Sequence, residues 1–246
     1  MGLDGSRIRA VIRKELSDYR RKRSIVVGMA ILPCFFLVEP VVAIFVVSAA
    51  TSGTDQYVVF PLLYLLLIPV FTPPTLAAYT IAGEREQGTL EPLLTTPLRQ
   101  QEFIVGKAAA VMLPTLALSY GLFAIFLVCV RLFAPPLESS AVFHQAGLLV
   151  AMVVLTPLLA AWSIWVGMAA SVRANEVRVA QQLGMLGGLP AVALILLISL
   201  GGITPDLAFG IKFGIILLAI DVAALRVVSR MFNRERLVTG SKASRS

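Results

Sequence analysis

The chain has 246 residues, 58% of them hydrophobic and only 14% charged, with a mean hydropathy of +0.87. Soluble domains carry roughly 25% charged residues, and no soluble fold of this size hides so much apolar surface, so a polytopic all-α membrane protein is expected. The net charge of +7 fits Lys and Arg gathered at the cytoplasmic face of a membrane better than a nucleic-acid surface.

Residues 7–20 predict an amphipathic helix. Ile8, Val11, Ile12, Leu16 and Tyr19 fall on one face, and Arg7, Arg9, Arg13 and Lys14 largely elsewhere. Such a helix is expected to lie in the headgroup region, apolar face down. Arg20-Arg21-Lys22-Arg23 marks the cytoplasmic edge of a first span, about Ile25 to Ala50. That run is too long for the h-region of a signal peptide and reads as a retained span. The second run, Gln56 to Gly83, has no charge but contains Pro61, Pro69, Pro73 and Pro74. It predicts a kinked or broken helix whose freed carbonyls need partners from its neighbours.

The long polar stretch Glu84 to Pro97 follows, with four carboxylates in or just past it: Glu84, Glu86, Glu91 and Glu102. Unpaired charges in hydrocarbon cost several kcal/mol each, so this stretch belongs in water. The third span runs from about Phe103 or Ala108 to Val130, with Lys107 beside its start and Arg131 at its end. Ala134-Pro135-Pro136 breaks it. The fourth covers Gln145 to Val172, the polar loop Arg173 to Arg178 follows, and the fifth covers about Leu183 to Leu200. A Gly-Gly and Thr-Pro-Asp turn leads to the sixth, Leu207 to Val228, and residues 230–246 form a basic, Ser-rich tail.

Six alternating spans put all but two of the 21 Lys and Arg on one side, the exceptions being Arg131 and Lys212. The positive-inside rule then places both termini in the cytoplasm, and a missed span would invert every later loop. The outer loops are short. No glycine-rich stretch ends in the Lys-Ser/Thr of a phosphate loop, so the chain is not expected to be an enzyme that hydrolyses nucleotide.

The polar stretch resembles the signature of the ABC-2-type permeases, the membrane subunits of ABC exporters with the type V (ABCG-like) fold. The shared residues, in order, are Glu84-Arg85-Glu86, Gly88-Thr89-Leu90-Glu91, Leu93-Leu94, Thr96-Pro97-Leu98, Glu102 and Gly106-Lys107. The resemblance extends over the chain, as one permease domain of residues 1–246. Arg99 departs from the family pattern, because many relatives have a small polar residue there that caps the next helix with Glu102. The resemblance implies a coupling helix near Thr89 to Leu94, within a loop of residues 84–98, seated in a cleft of a separate ATP-binding subunit. Glu84, Arg85, Glu86, Gly88, Thr89, Leu90 and Glu91 would form that contact, with Glu84, Arg85 and Glu86 pairing with the partner or with the basic N-terminal helix. Pro92 still falls in the first turn of such a helix, and Glu91 suits its positive end.

The resemblance also implies two ATP-binding subunits per complex, carrying the ATP and Mg, and a second permease copy or paralogue. This chain would hold no cofactor or metal itself. Export across the plasma or bacterial inner membrane by alternating access is the expected activity. Arg173, Glu176 and Arg178 offer a second contact with the same partner, or a plain positive-inside turn. Glu39 and Asp221 are the two carboxylates inside spans, and intramembrane acids mark substrate paths, ion sites or buried pairs. Their depths differ, which argues against a direct pair.

Two other classes fit the composition: an ion-coupled secondary transporter using Glu39 or Asp221, and a membrane anchor or sensor that recruits an ATPase without transport. Internal repeats expected of the former are not evident. The remaining features read as structural. Gly184-x-x-x-Gly188 and Gly210-x-x-x-Gly214 suit close helix packing. Trp162 and Trp165 suit core or interface packing. Cys34 and Cys129 read as small buried hydrophobes, and the lone His144 has no metal-type neighbour in sequence.

Overall fold

A computed structural model of the chain describes residues 4–47, 56–89, 99–200 and 207–232. These residues are almost entirely helical, no strand forms among them, and six helical runs are long and apolar enough to cross a membrane. Helix α1 is Gly5–Arg21. Helix α2, Arg23–Val42, continues through a π-helical turn, Ala43–Val47, as the first span. The second span is broken into α3 (Gln56–Tyr64), α4 (Leu67–Phe71), α5 (Pro73–Ala77), a 3-10 turn (Ala78–Thr80) and α6 (Ala82–Glu86). The third span is α7, Gln100–Phe133. A short helix, α8 (Pro136–His144), leads to the fourth span, α9 (Ala146–Arg173). The fifth is α10 (Val177–Met185), a 3-10 turn (Leu186–Gly188) and α11 (Leu189–Ser199). The sixth is α12, Leu207–Met231.

The proline-rich second span, uncharged as far as Gly83, forms the centre of the bundle. Its most apolar stretch is 78% buried, against 11–44% for the other spans, whose outer faces are left for lipid. Its breaks at Pro74 and after the 3-10 turn have partners from a neighbour, and the others are closed within the span. Pro74 has no N–H for the carbonyl of Val70, and the Ser163 hydroxyl of α9 donates to that carbonyl instead. Two residues before the end of α9, the Ser171 hydroxyl fills the gap after the 3-10 turn. It donates to the Ala78 carbonyl at 2.9 Å and accepts from the N–H groups of Ile81 and Ala82 at 3.1 and 2.9 Å. Thr80 donates to Ala77 O and Thr72 to Ile68 O, both at 2.6 Å. The backbone of a span interrupted in a medium without water is satisfied by the protein itself.

Close packing at the same breaks depends on glycine. A Cβ on Gly167 would stand 2.7 Å from the Cβ of Ala77, and one on Gly184 would stand 3.1 Å from that of Pro74. The Gly184 and Gly188 pair therefore presses the fifth span onto the second, and Gly210 and Gly214 press α12 onto Ala151 and Leu155 of α9.

Several expected boundaries shift; the second span, for one, runs on to Glu86 and not only to Gly83. Helix α7 starts at Gln100, so Lys107 lies inside the helix and not beside it. The Glu102 carboxylate accepts from the N–H of Arg99 at 3.1 Å, so the first turn is closed without a small polar residue at Arg99. The fifth span starts at Val177, well before Leu183, because the polar turn with Arg178, Gln181 and Gln182 is helical too. Helix α1 starts at Gly5, capped by Asp4, whose carboxylate accepts from the N–H and hydroxyl of Ser6 at 2.9 and 2.6 Å. The apolar face of α1 is not turned wholly toward lipid. Val11 and Tyr19 are buried against the bundle, and a Cβ on Gly106 of α7 would meet Val11 at 2.8 Å. Most of the expected coupling helix, with Leu90 and Glu91, and the tail beyond Phe232 lie outside the described residues.

Candidate functional site

At the basic end of the bundle the Glu84-Arg85-Glu86 stretch forms α6, the last turn of the second span. Its end is a glycine-closed turn. Gly88 has a φ of 67°, the N–H of Thr89 bonds the Glu84 carbonyl at 2.9 Å, and that of Gly88 bonds the Arg85 carbonyl at 3.1 Å. This is a Schellman arrangement, in which the left-handed residue that reverses the chain favours Gly. Gln87, Gly88 and Thr89 are exposed just past it.

The three charged side chains of α6 each bond a different part of the chain. Glu84 is buried, and its Oε1 lies 2.7 Å from Lys107 Nζ of α7 and 3.3 Å from Lys14 Nζ of α1. Lys107 has no exposed surface, and its ammonium also meets Glu15 Oε1 of α1 at 3.1 Å and the Thr80 carbonyl at 2.6 Å. The Phe103 ring lies 4.9 Å from it. Lys14 additionally contacts Glu15 at 3.2 Å and Asp18 at 3.5 Å. Burial disfavours the charge on Lys14, but the carboxylates of Glu15 and Glu84 outweigh it and hold the ammonium above its ordinary value.

Arg85 points the other way. Its guanidinium donates to the carbonyl of Ala174 at 2.6 Å and to that of Val172 at 3.2 Å, so it caps the end of α9. Glu86 accepts from the N–H of Val177 at 2.6 Å and so caps the start of α10, where Glu176 makes no side-chain cap of its own. One turn of helix thus joins α1, α7, α9 and α10. A second tie runs between α1 and α7, where the buried Glu102 accepts from the N–H of Asp4 at 3.1 Å and pairs with Arg7 at 3.7 Å.

Arg173, Glu176 and Arg178 are exposed, on the loop that Arg85 and Glu86 hold against α6. Among the described residues, Glu39 on α2 and Asp221 on α12 form no ion pair with this junction or with each other. One oxygen of Glu39 and both of Asp221 are buried with no hydrogen-bond partner among the described residues. Lys107, Glu15, Ser163 and Ser171 were not singled out as functional from the sequence. The signal for the first two was available: a lysine inside an apolar span and a glutamate on the packed face of an amphipathic helix need each other.

Six helical runs long and apolar enough to span a membrane, the second of them bonded at one end to α1, α7, α9 and α10, define a multi-pass membrane protein. The chain belongs to the ABC-2 family transporter proteins, whose family model matches residues 11–179, from α1 into α10. It is accordingly a permease subunit of an ABC transporter, a membrane component that works with an ATP-binding subunit. No curated protein matches the chain.

Proposed function

We propose that the chain is the permease of an exporter in the cell membrane, with both termini cytoplasmic. It pairs with a second permease copy or paralogue, and two separate ATP-binding subunits carry the ATP and Mg. The partner docks on the loop that begins at Gly88 and Thr89 and continues through Leu90 and Glu91, with Arg173, Glu176 and Arg178 on the adjoining surface. ATP binding closes the partner subunits, displaces the loop and biases the spans between inward- and outward-facing arrangements.

One observation carries this reading: α6 bonds α1 and α7 through Glu84, α9 through Arg85 and α10 through Glu86. A force applied at the loop reaches several spans at once through bonds that hold direction. Glu84, Arg85 and Glu86 act on this view by holding the loop's base, with the exposed residues after them touching the partner. Half-buried Glu39, with one buried oxygen, and buried Asp221, with both, have carboxylate oxygens without a hydrogen-bond partner among the described residues, and they are the positions proposed for a substrate or ion path.

The test is reconstitution in vesicles with the co-purified ATP-binding subunit. Glu86→Ala is expected to leave the chain inserted and the partner bound, while ATP-driven flux drops. Wild-type flux in that variant, or no ATP-binding protein co-purifying from native membranes, would overturn the reading.

A further inference from the structure

Helix α1 carries two kinds of cation. Arg7 and Lys14 turn toward the junction and are paired with carboxylates. Arg9, Arg13 and Arg20 form no ion pair among the described residues. At 3.6 residues per turn those three lie within about 40° of one another, on the side of α1 away from Lys14. All three line a groove of about 910 Å³ between α1, the first span and α7. That is near the upper end of the ~300–1,000 Å³ typical of small-molecule sites.

The groove is graded. Its rim has the three guanidinium groups and the Ser17 hydroxyl, and its floor is apolar, with Ile25, Val26 and Met29 from α2 and Leu113, Pro114 and Ala117 from α7. Leu113 and Ala117 lie well inside an apolar span, and Leu113 and Val26 are exposed, so the floor opens toward hydrocarbon. A cationic rim at one end of an apolar trough that opens sideways matches a molecule with an anionic head and an alkyl tail. Basic pockets between spans at the cytoplasmic side bind anionic lipid headgroups by this logic.

We propose that this groove is a binding site for an anionic phospholipid. Its phosphate is held by Arg9, Arg13 and Arg20, and one acyl chain lies along Met29, Leu113 and Ala117. The lipid stands between α1 and the first and third spans, beside the junction but separate from its ion pairs. The site depends on the chain's own residues and the surrounding bilayer, not on the proposed docking of an ATP-binding subunit.

The full chain is reconstituted in vesicles of equal phosphatidylglycerol and phosphatidylcholine, extracted in mild detergent and weighed intact by native mass spectrometry. The wild type is expected to retain phosphatidylglycerol preferentially. The triple variant R9Q/R13Q/R20Q is expected to retain it about tenfold less or worse, and the charge-preserving R9K/R13K/R20K to keep most of it. Ala117→Trp, with every arginine intact, is expected to lower retention by filling the trough. Arg13→Gln alone gives a smaller loss in the same direction and serves if the triple variant does not fold. Equal retention of the two lipids by the wild type, or unchanged retention in a folded R9Q/R13Q/R20Q, overturns the proposal. So does a change in oligomeric state with lipid retention intact, which would make the groove a contact between copies. Loss of the ATP-binding subunit with lipid retention intact would assign it to that partner and overturn the proposal too.

Discussion

Lys107 is a full charge with no exposed surface, at the base of an apolar helix. Taking an ammonium out of water costs several kcal/mol, which is offset only when oxygens surround it. Glu84, Glu15 and the Thr80 carbonyl do so within 3.1 Å. Removing the cation leaves the two carboxylates with only the half-exposed Lys14 between them, so Lys107→Ala is expected to cost about 3 kcal/mol, the low end for a broken buried pair. Glu84→Gln in the same chain should recover part of this, and thermal unfolding of the four members of the cycle in one detergent measures the coupling. Lys14 is different, being half exposed at its side chain. Its folded pKa is raised, so the stability it lends is fully present below its ordinary value of 10.5 and is lost only as pH rises through the higher folded value. The difference in melting temperature between wild type and Lys14→Gln should therefore stay constant between about pH 6 and 9.

At the scale of one element, the second span decides how the bundle is packed. Its prolines were legible in the sequence as a break, and so was the need for outside partners. Which neighbours supply them was not legible, because Ser163 and Ser171 look like any small polar residues in a membrane helix. Only the closeness of α9, permitted by Gly167, sets their hydroxyls into the gaps. Ser171→Ala would leave the buried N–H groups of Ile81 and Ala82 without an acceptor, at about 1–3 kcal/mol for each group. The expected result is a destabilisation of at least about 2 kcal/mol, from those two losses, read by thermal unfolding. An unchanged melting temperature would mean that these N–H groups find other partners. The span ends were misplaced for a related reason: hydropathy marks where apolar residues stop, but Glu102 and Glu86 start α7 and α10 earlier, at polar turns. Lys107 marked the edge of a span in the sequence because its carboxylate partners lie on elements distant in the chain.

For the whole molecule, the proposed transport cycle requires that a push at one end become a rearrangement of the spans. Hydrophobic contact alone lets helices slide, while hydrogen bonds of fixed direction do not. The Glu-Arg-Glu turn supplies such bonds to both sides, with ion pairs toward α1 and α7 and caps on α9 and α10. Arg85 is the most demanding member, because its guanidinium spans two carbonyls, Val172 and Ala174, at the end of one helix. A lysine keeps the charge but has no planar fork to bridge them. Arg85→Lys should therefore insert and bind the ATP-binding subunit as wild type does, while the link to α9 loosens. In vesicles containing both subunits, the proposed coupling role predicts ATP hydrolysis that continues and flux that falls, so that more ATP is consumed per substrate moved. Hydrolysis and flux falling together in proportion would instead place Arg85 in docking, and both unchanged would mean that the bonds to Val172 and Ala174 transmit nothing.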